Sequence, residues 1–190
     1  MGTGKSVIVG VGIAGQSEVA LIDNQGYILH RCPIKTLRGR SIAATLDPYL
    51  RAIEEMLAVA RAGRMRVHGI GVSLPGSLDE GARRPLVVPM LTALNGFPLC
   101  DLLETRYACP ARLLVDVDAI LLGECRFGAG KGRDARRLLF LTVNAVVGAA
   151  LVVDGELARP GQQCVGHVSH LSVAASGPRC SCGKRGCINS

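Results

Sequence analysis

The pattern with the clearest chemistry is a run of cysteines between positions 180 and 187. Cys180, Cys182 and Cys187 lie in one short segment, and Gly183 and Gly186 permit the tight backbone turns that aim three thiols inward. Thiolates that converge without a cation repel one another, whereas zinc prefers four nitrogen or sulfur ligands in a tetrahedron. The spacing therefore predicts a zinc site that needs one further ligand.

The fourth ligand is expected to be a histidine, and both His167 and His170 lie a short loop upstream. Four protein ligands close the coordination sphere, so the predicted site is structural and generates no hydroxide nucleophile. The alternative is three reduced surface cysteines without a metal. The remaining cysteines are isolated, as expected for reduced thiols in the cytoplasm rather than for a disulfide framework: Cys32, Cys100, Cys109, Cys125 and Cys164.

The composition is that of a globular protein with a substantial core. Hydrophobic residues make up 48% of the 190 residues, and no apolar run approaches the roughly 20 residues that a bilayer requires. The N-terminal apolar run is broken by Gly10 and Gly12, which argues against a signal peptide. The net charge of +7 comes from scattered basic residues, and aromatic residues are only 3%. A solvated basic surface is therefore favoured over a nucleic-acid or membrane partner, and a cytoplasmic location is expected.

Three short strands, residues 6–12, 17–23 and 27–32, are predicted to form a meander, because small-residue turns separate apolar runs. A helix is expected to begin at Asp47 and Pro48, since Asp is a favoured N-cap and Pro suits the first helical position. The other predicted elements are strand 67–74, helix 99–107, strand 111–117 and helix 119–127. Parallel crossovers that follow a meander predict an α/β fold.

The hairpin pattern then recurs further along the chain. Residues 138–144 and 149–153 are predicted strands, joined by a small-residue turn at 145–148 and followed by an Asp-Gly turn. This layout repeats that of residues 6–26. Paired hairpins of this kind offer backbone N–H groups to phosphates in two-lobed kinases. The alternative is two unrelated hairpins, which are common in proteins.

The cysteine run and the residues before it resemble the hallmark of the ROK family of sugar kinases and sugar-responsive repressors. That hallmark reads G-E-I-G-H, a spacer, then C-x-C-G-x-x-G-C-L-E, and here residues 166–170 read G-H-V-S-H ahead of the cysteines. Further family motifs are similar to segments 68–76, 115–119 and 124–132. Within the family, N-acetylmannosamine and N-acetylglucosamine kinases look nearest.

The resemblance implies the ribonuclease H-like fold of actin-like ATPases and sugar kinases. Residues 1–117 correspond to one complete lobe, and residues 118–190 to the beginning of a second lobe that carries the zinc-binding loop. The resemblance also implies that His170 is the fourth zinc ligand. Because ROK proteins are often dimers or tetramers, it further implies a homo-oligomer.

The resemblance assigns roles to individual residues. Asp118 matches the family's catalytic Asp, which accepts the proton of the attacking sugar hydroxyl. It follows a predicted parallel strand, where α/β folds place their ligands, and its alternative role is the N-cap of the next helix. Contacts to the sugar are implied for Asn95 and His167.

The first phosphate loop departs from the family pattern. Gly12 stands where the family has an Asp that helps to organise metal and phosphates. The other positions expected to line this altered loop are Ala14, Gly15 and Gln16.

The second phosphate loop is also altered. Residues 144–148 read N-A-V-V-G where the family has G-T-G-I-G, so Gly148 is kept but two β-branched valines replace freer backbone. Val117 replaces a sugar-binding Asn, and Asn189 replaces a Glu. We expect these changes to weaken the binding of ATP and sugar.

The expected activity is ATP-dependent phosphorylation of a hexose or N-acetylhexosamine hydroxyl, impaired by the altered loops. Structural Zn²⁺, a small-molecule sugar and, for catalysis, ATP with Mg²⁺ are the expected ligands. The first alternative is a non-catalytic sugar-binding or regulatory module, although the family's repressors carry a winged helix for which no room precedes Ser6. The second is a truncated product with a structural role.

Overall fold

The computed structural model describes residues 5–13, 17–35, 41–79, 81–89, 91–128, 136–143, 146–158 and 168–190. Contacts divide the chain into two compact units, Met1–Asp116 and Val117–Ser190. The interpretation of these units as the two kinase lobes stays a prediction. Within the described residues, no helix is long and apolar enough to cross a membrane.

The first unit is built on a five-stranded sheet. Its strands are β1 (Ser6–Gly12), β2 (Glu18–Asp23), β3 (Ile28–Pro33), β4 (Arg66–Leu74) and β7 (Ala111–Val115), in the order β3-β2-β1-β4-β7. Strands β1, β2 and β3 form an antiparallel meander, and β4 and β7 add to it in parallel. Two short strands, β5 (Ser77–Leu78) and β6 (Pro85–Val87), form a separate hairpin. The α/β meander with parallel crossovers is thus confirmed.

Two helices connect the parallel strands, α1 (Ile42–Ala62) and α2 (Leu99–Tyr107). The core lies where α1 packs on β1, β2 and β4. Alternate residues of β1 point into this core, and Val7, Val9 and Val11 are at most 4% exposed. The other face of β1 is less covered, since Ile8 is 44% exposed, so the predicted burial along the whole strand holds only for alternate residues.

Helix α1 begins earlier than the sequence predicted. Its N-cap is Ser41, whose Oγ accepts a hydrogen bond from the Ala44 N–H at 3.2 Å, so Asp47 and Pro48 lie inside the helix. Proline removes one backbone hydrogen bond from a helix interior. Burial of Leu46 and Tyr49 on either side of Pro48 offsets that loss.

The second unit contains helix α3 (Asp116–Phe127), which starts at its boundary, and a three-stranded antiparallel sheet with the order β10-β9-β8. The strands are β8 (Arg137–Val143), β9 (Val147–Val153) and β10 (Glu156–Leu157). Leu121 of α3 packs against Ala150 and Val152 of β9. The predicted repetition of the hairpin is confirmed, because β8, β9 and β10 connect in the same way as β1, β2 and β3.

The repeated hairpins differ in how their faces are covered. On β8, Leu139, Leu141 and Val143 are 58%, 59% and 75% exposed, whereas the alternating valines of β1 are buried beneath α1. The second sheet therefore has a smaller core, formed mainly by its contact with α3.

Two predicted boundaries are corrected by the structure. Strand β7 ends at Val115 and α3 begins at Asp116, so Asp118 lies in the first helical turn rather than at the N-cap. Strand β9 begins at Val147, so Gly148 lies in the strand rather than in the turn. Both corrected boundaries lie where Val117 and Leu121 of α3 pack against β9, a tertiary contact that local sequence preference does not encode.

An ion-pair network attaches α2 to its surroundings. Both nitrogens at the end of the Arg83 guanidinium donate to Glu104, and one also donates to Asp101. A Glu104 carboxylate oxygen accepts the Ala111 N–H at 3.0 Å, which links α2 to β7. The Arg83 hydrogen bonds, and then the Ala111 N–H, lower the pKa of Glu104 to about 2.

We predict that Glu104→Gln lowers the Tm at neutral pH, since it removes the charge that holds Arg83. The pKa of Glu104 falls from an ordinary 4.5 to about 2 on folding, so its stabilisation is complete above the ordinary value and is lost as pH falls towards 2. Calorimetry should show a constant Tm difference from wild type between about pH 5 and 7 and a shrinking one below about pH 4.5.

The matched control is Glu54→Gln, which removes an exposed ion pair with Arg106 at 2.7 Å. Exposed pairs contribute about 0–1 kcal/mol, so this variant should change the Tm little. Equal losses in the two variants, or a Tm difference for Glu104→Gln that persists at low pH, would contradict the assigned role of Glu104.

Candidate metal centre and neighbouring site residues

Four side chains of the second unit converge at one point. His170, Cys180, Cys182 and Cys187 each offer one ligand atom, and these atoms lie within 4.8 Å of one another. The Cys180 Sγ lies 3.4 Å from the His170 Nδ1, and the Sγ atoms of Cys182 and Cys187 are 3.6 Å apart. Tetrahedral zinc with Zn–S distances of about 2.3 Å and Zn–N distances of about 2.0–2.1 Å separates its ligand atoms by roughly 3.5–3.8 Å. The donor set therefore fits zinc in type, and two of its separations are close to those of a tetrahedral site.

Backbone pairing within residues 168–190, here called the metal loop, brings the four ligands together. His170 ends a 3-10 helix, Val168–His170, which lies against β9. Ser172 pairs with Cys187 in an antiparallel bridge, and Arg179 pairs with Arg185 in another. These bridges place the histidine and the last cysteine side by side.

Two glycines allow the turns between the cysteines. Gly183 has a φ of +89° and Gly186 a φ of +63°, a region that side chains disfavour. The Gly183 N–H donates to the Cys180 carbonyl oxygen at 3.0 Å and closes the first turn. A Cβ at Gly186 would collide with the Ala174 carbonyl, whereas a Cβ at Gly183 would meet open space.

The thiols of the cluster differ in acidity. A hydrogen bond from the Cys182 backbone, followed by those from neighbouring side chains, lowers the pKa of Cys180 to about 6. Burial raises the pKa of Cys187 to about 11, since its side chain is 3% exposed and the other thiols adjoin it. Negative charge therefore develops first at Cys180, and a cation is needed to ionise the buried thiol as well.

The predicted second phosphate loop, residues 144–148, is described only from residue 146, and its last two residues begin β9. A Cβ at Gly148 would lie 2.8 Å from the Val117 Cγ1 and 3.1 Å from the Thr142 Cγ2. Glycine at this position thus allows β9 to approach α3 closely. Residue 117, where the family pattern has a sugar-binding Asn, packs here as an apolar side chain.

The other predicted site residues fall at separate places in the fold. Asp118 is half-buried in the first turn of α3. Asn95 is exposed in the first unit, and its Oδ1 accepts the Val88 N–H at 2.8 Å. Gly12 ends β1, between β2 and β4. The remaining positions lie outside the described residues: Ala14, Gly15, Gln16 and His167.

Sequence reasoning missed one contact at this site. The Asn189 Oδ1 accepts a hydrogen bond from the Val147 N–H at 2.9 Å, which joins the metal loop to the β8–β9 turn. In the sequence, Asn189 stood out only because the family pattern has a glutamate at this position. No local pattern could have paired two residues that lie so far apart in the chain.

Curated relatives of this chain include kinases and a repressor. A glucokinase of Thermotoga maritima is 29% identical over 97% of this chain and 56% of the relative. An N-acetylmannosamine kinase of Vibrio cholerae is also 29% identical, over 93% of this chain and 58% of the relative. The DNA-binding transcriptional repressor Mlc of Escherichia coli is 28% identical over 75% of this chain and 35% of its own length. The two kinases are equally identical to this chain, so sequence identity does not favour the N-acetylmannosamine kinase over the glucokinase as the nearer relative.

Solved structures show the same fold. A ROK family glucokinase from Streptomyces griseus, in complex with glucose and AMPPNP, matches 95% of this chain and 55% of its own with a TM-score of 0.78 and 25% identity. A ROK hexokinase from Thermus thermophilus matches 96% of this chain and 59% of its own with a TM-score of 0.79 and 26% identity. ROK sugar kinases have the actin-like ATPase fold, so the predicted ribonuclease H-like fold class is confirmed.

The chain spans just over half the length of the kinases that it matches. The description of the matching family model is ROK family, and the match covers residues 8–190. That range includes all but the first two residues of the first hairpin, the whole second hairpin, Asp118 and the metal loop. The chain therefore belongs to the ROK family.

Proposed function

We propose that this chain carries the sugar site of an ATP-dependent sugar kinase that phosphorylates a hydroxyl of a hexose or N-acetylhexosamine at a reduced rate. The observation that carries the proposal is the match of nearly the whole chain to sugar kinases. Asp118 supports it, because this carboxylate follows the parallel strand β7 at the family's catalytic position.

Asp118 is the proposed general base. Its half-buried carboxylate in the first turn of α3 would accept the proton of the attacking sugar hydroxyl. The positive end of the helix dipole favours the ionised carboxylate at this place. Asn95 and His167 are proposed to hydrogen-bond the sugar. ATP with Mg²⁺ would supply the phosphoryl group and neutralise its charge.

Two contacts at the start of β9 support the proposed reduced rate. The Val147 N–H already donates to Asn189, and Gly148 packs against Val117 instead of lying open in the turn. This is the reason for the proposed low rate. It also favours the second candidate, a sugar-binding module that does not phosphorylate its ligand.

The proposed resident metal is one structural Zn²⁺ held by His170, Cys180, Cys182 and Cys187. The support is the donor set of one imidazole and three thiols, together with the two short separations between its ligand atoms. All four ligand positions come from the protein, so the proposed ion organises the metal loop and takes no part in phosphoryl transfer.

We predict about one zinc ion per chain in protein purified without chelators, measured by atomic emission. Cys187→Ser should lose the ion, because hydroxyl oxygen is a poor substitute for thiolate. The control is Cys109→Ser in the first unit, which should keep it. Zinc well below one equivalent, or zinc that survives Cys187→Ser, would refute the site.

We also predict that Gly186→Ala weakens zinc retention and lowers the Tm far more than Gly183→Ala. Both glycines have positive φ, which costs an alanine about 1–2 kcal/mol. Position 186 adds the collision with the Ala174 carbonyl, whereas position 183 faces open space. Competition with a chromogenic chelator would measure the difference. Equal effects would show that the backbone near Ala174 is not as tightly packed as described.

The catalytic role is tested by ADP release with Mg-ATP and glucose, N-acetylglucosamine, N-acetylmannosamine or mannose. We expect slow turnover with one sugar, reduced about 10²–10⁴-fold in Asp118→Asn, because a general base contributes a factor of that size. The matched control is Asp116→Asn, which removes a carboxylate from the same helical turn and should keep the turnover.

Calorimetric sugar binding separates the two candidate functions. Binding without turnover would replace the kinase proposal with the sugar-binding module. Zinc-loaded, folded protein that neither binds nor phosphorylates any of these sugars would refute both.

A further inference from the structure

Asn189 connects the metal loop to the tip of the β8–β9 hairpin. Its Oδ1 accepts the Val147 N–H at 2.9 Å. Val147 is the first residue of β9 and pairs with Val143, the last residue of β8. The side chain of Asn189 therefore holds the hairpin at the point where its ladder ends and its turn begins.

The main chain of Asn189 is held by neighbours of two metal ligands. Its N–H donates to the carbonyl oxygen of Ser169, the residue before His170, at 3.1 Å. On its other side, the N–H of Ser190 donates to the Cys187 carbonyl oxygen at 3.0 Å. The position of Asn189 thus depends on how firmly His170 and Cys187 are held together.

This end of the metal loop is held by backbone hydrogen bonds, such as that from the Ile188 N–H to the Leu171 carbonyl oxygen at 3.0 Å, and it buries few side chains. Within residues 168–190, the buried residues are Ser169, Gly186 and Cys187. The side chain of asparagine is short, so a shift of its backbone by a fraction of the bond length breaks a hydrogen bond of 2.9 Å. Metal binding at the cluster and the contact to Val147 should therefore be linked.

We propose that Asn189 is a positioning residue that transmits the metal-bound state of the cluster to Val147, the first residue of β9. With the metal bound, the Asn189 Oδ1 accepts the Val147 N–H, so this N–H is not available to other acceptors such as phosphate. When the metal leaves, the hydrogen bond is lost and the Val147 N–H becomes available. The inference rests on the zinc site that we propose above.

The test is amide hydrogen exchange of zinc-loaded protein, read for Val147 by NMR. In Asn189→Ala, Val147 should exchange roughly three- to ten-fold faster, which is the effect of losing one neutral hydrogen bond. In Asn189→Asp, a carboxylate oxygen replaces the amide oxygen and should restore most of the protection. The exchange of Ile70, whose N–H donates to the Pro110 carbonyl oxygen in the first unit, should not change.

The matched control is Asn95→Ala, which removes the same kind of contact, from the Val88 N–H to an asparagine oxygen, in the first unit. It should accelerate amide exchange at Val88 and leave exchange at Val147 slow. Faster exchange at Val147 in Asn189→Ala, Asn189→Asp and Asn95→Ala alike would show a general loss of stability and would overturn the proposal.

Metal removal completes the test. Chelation of wild-type protein should accelerate exchange at Val147, and chelation of Asn189→Ala should add little to the acceleration already present. Equal responses to chelation in the two proteins would show that the coupling does not pass through Asn189. Protein purified without zinc would refute the metal site and the coupling together. If the amide of Val147 exchanges at the same rate in zinc-loaded Asn189→Ala as in zinc-loaded wild type, the coupling is refuted and the metal site is not.

Discussion

The convergence of one imidazole and three thiols is the constraint on which the order of the metal loop depends. This stretch of chain buries few side chains, so hydrophobic burial cannot offset the conformational entropy of its many turns. Backbone hydrogen bonds, positive-φ glycines and the ligand cluster have to supply that order. A metal ion bound by the four ligands would cross-link the parts of the loop that carry them. In small domains, zinc contributes folding free energy in this way.

The two hairpins that share one connection pattern lie in different surroundings. In the first unit, β1 has strands on both sides and the helix α1 over its alternating valines. In the second, β8 is an edge strand of its sheet, with exposed leucines on one face and α3 on the other. The first unit therefore holds most of the apolar core of the described residues, and the second relies more on hydrogen bonds and on the cluster.

Around the β8–β9 turn, packing has taken the place of polar chemistry. Val117 fills the space above Gly148, and Asn189 accepts the backbone donor of Val147. The space beside Gly148 and the Val147 N–H are thus both occupied by groups of the protein itself. Asp118, the residue after Val117, lies in the first turn of α3. These contacts support the proposal of a slow kinase or of a sugar-binding module.

The sequence by itself determined what depends on local pattern. The apolar run Ser6–Gly12 and the helix Leu99–Tyr107 were predicted with the observed bounds, and the cysteine and glycine spacing predicted the cluster, because ligands close in sequence meet through short turns. Tertiary structure decided the rest. Helix α1 runs through Pro48 because burial against the sheet outweighs one lost hydrogen bond, and the bounds of α3 and β9 fall where the two elements meet at Val117 and Gly148. The contact between Asn189 and Val147 exists only once the metal loop folds back on the hairpin. Local propensity carries no information on such long-range contacts, which the packing of the second unit alone creates.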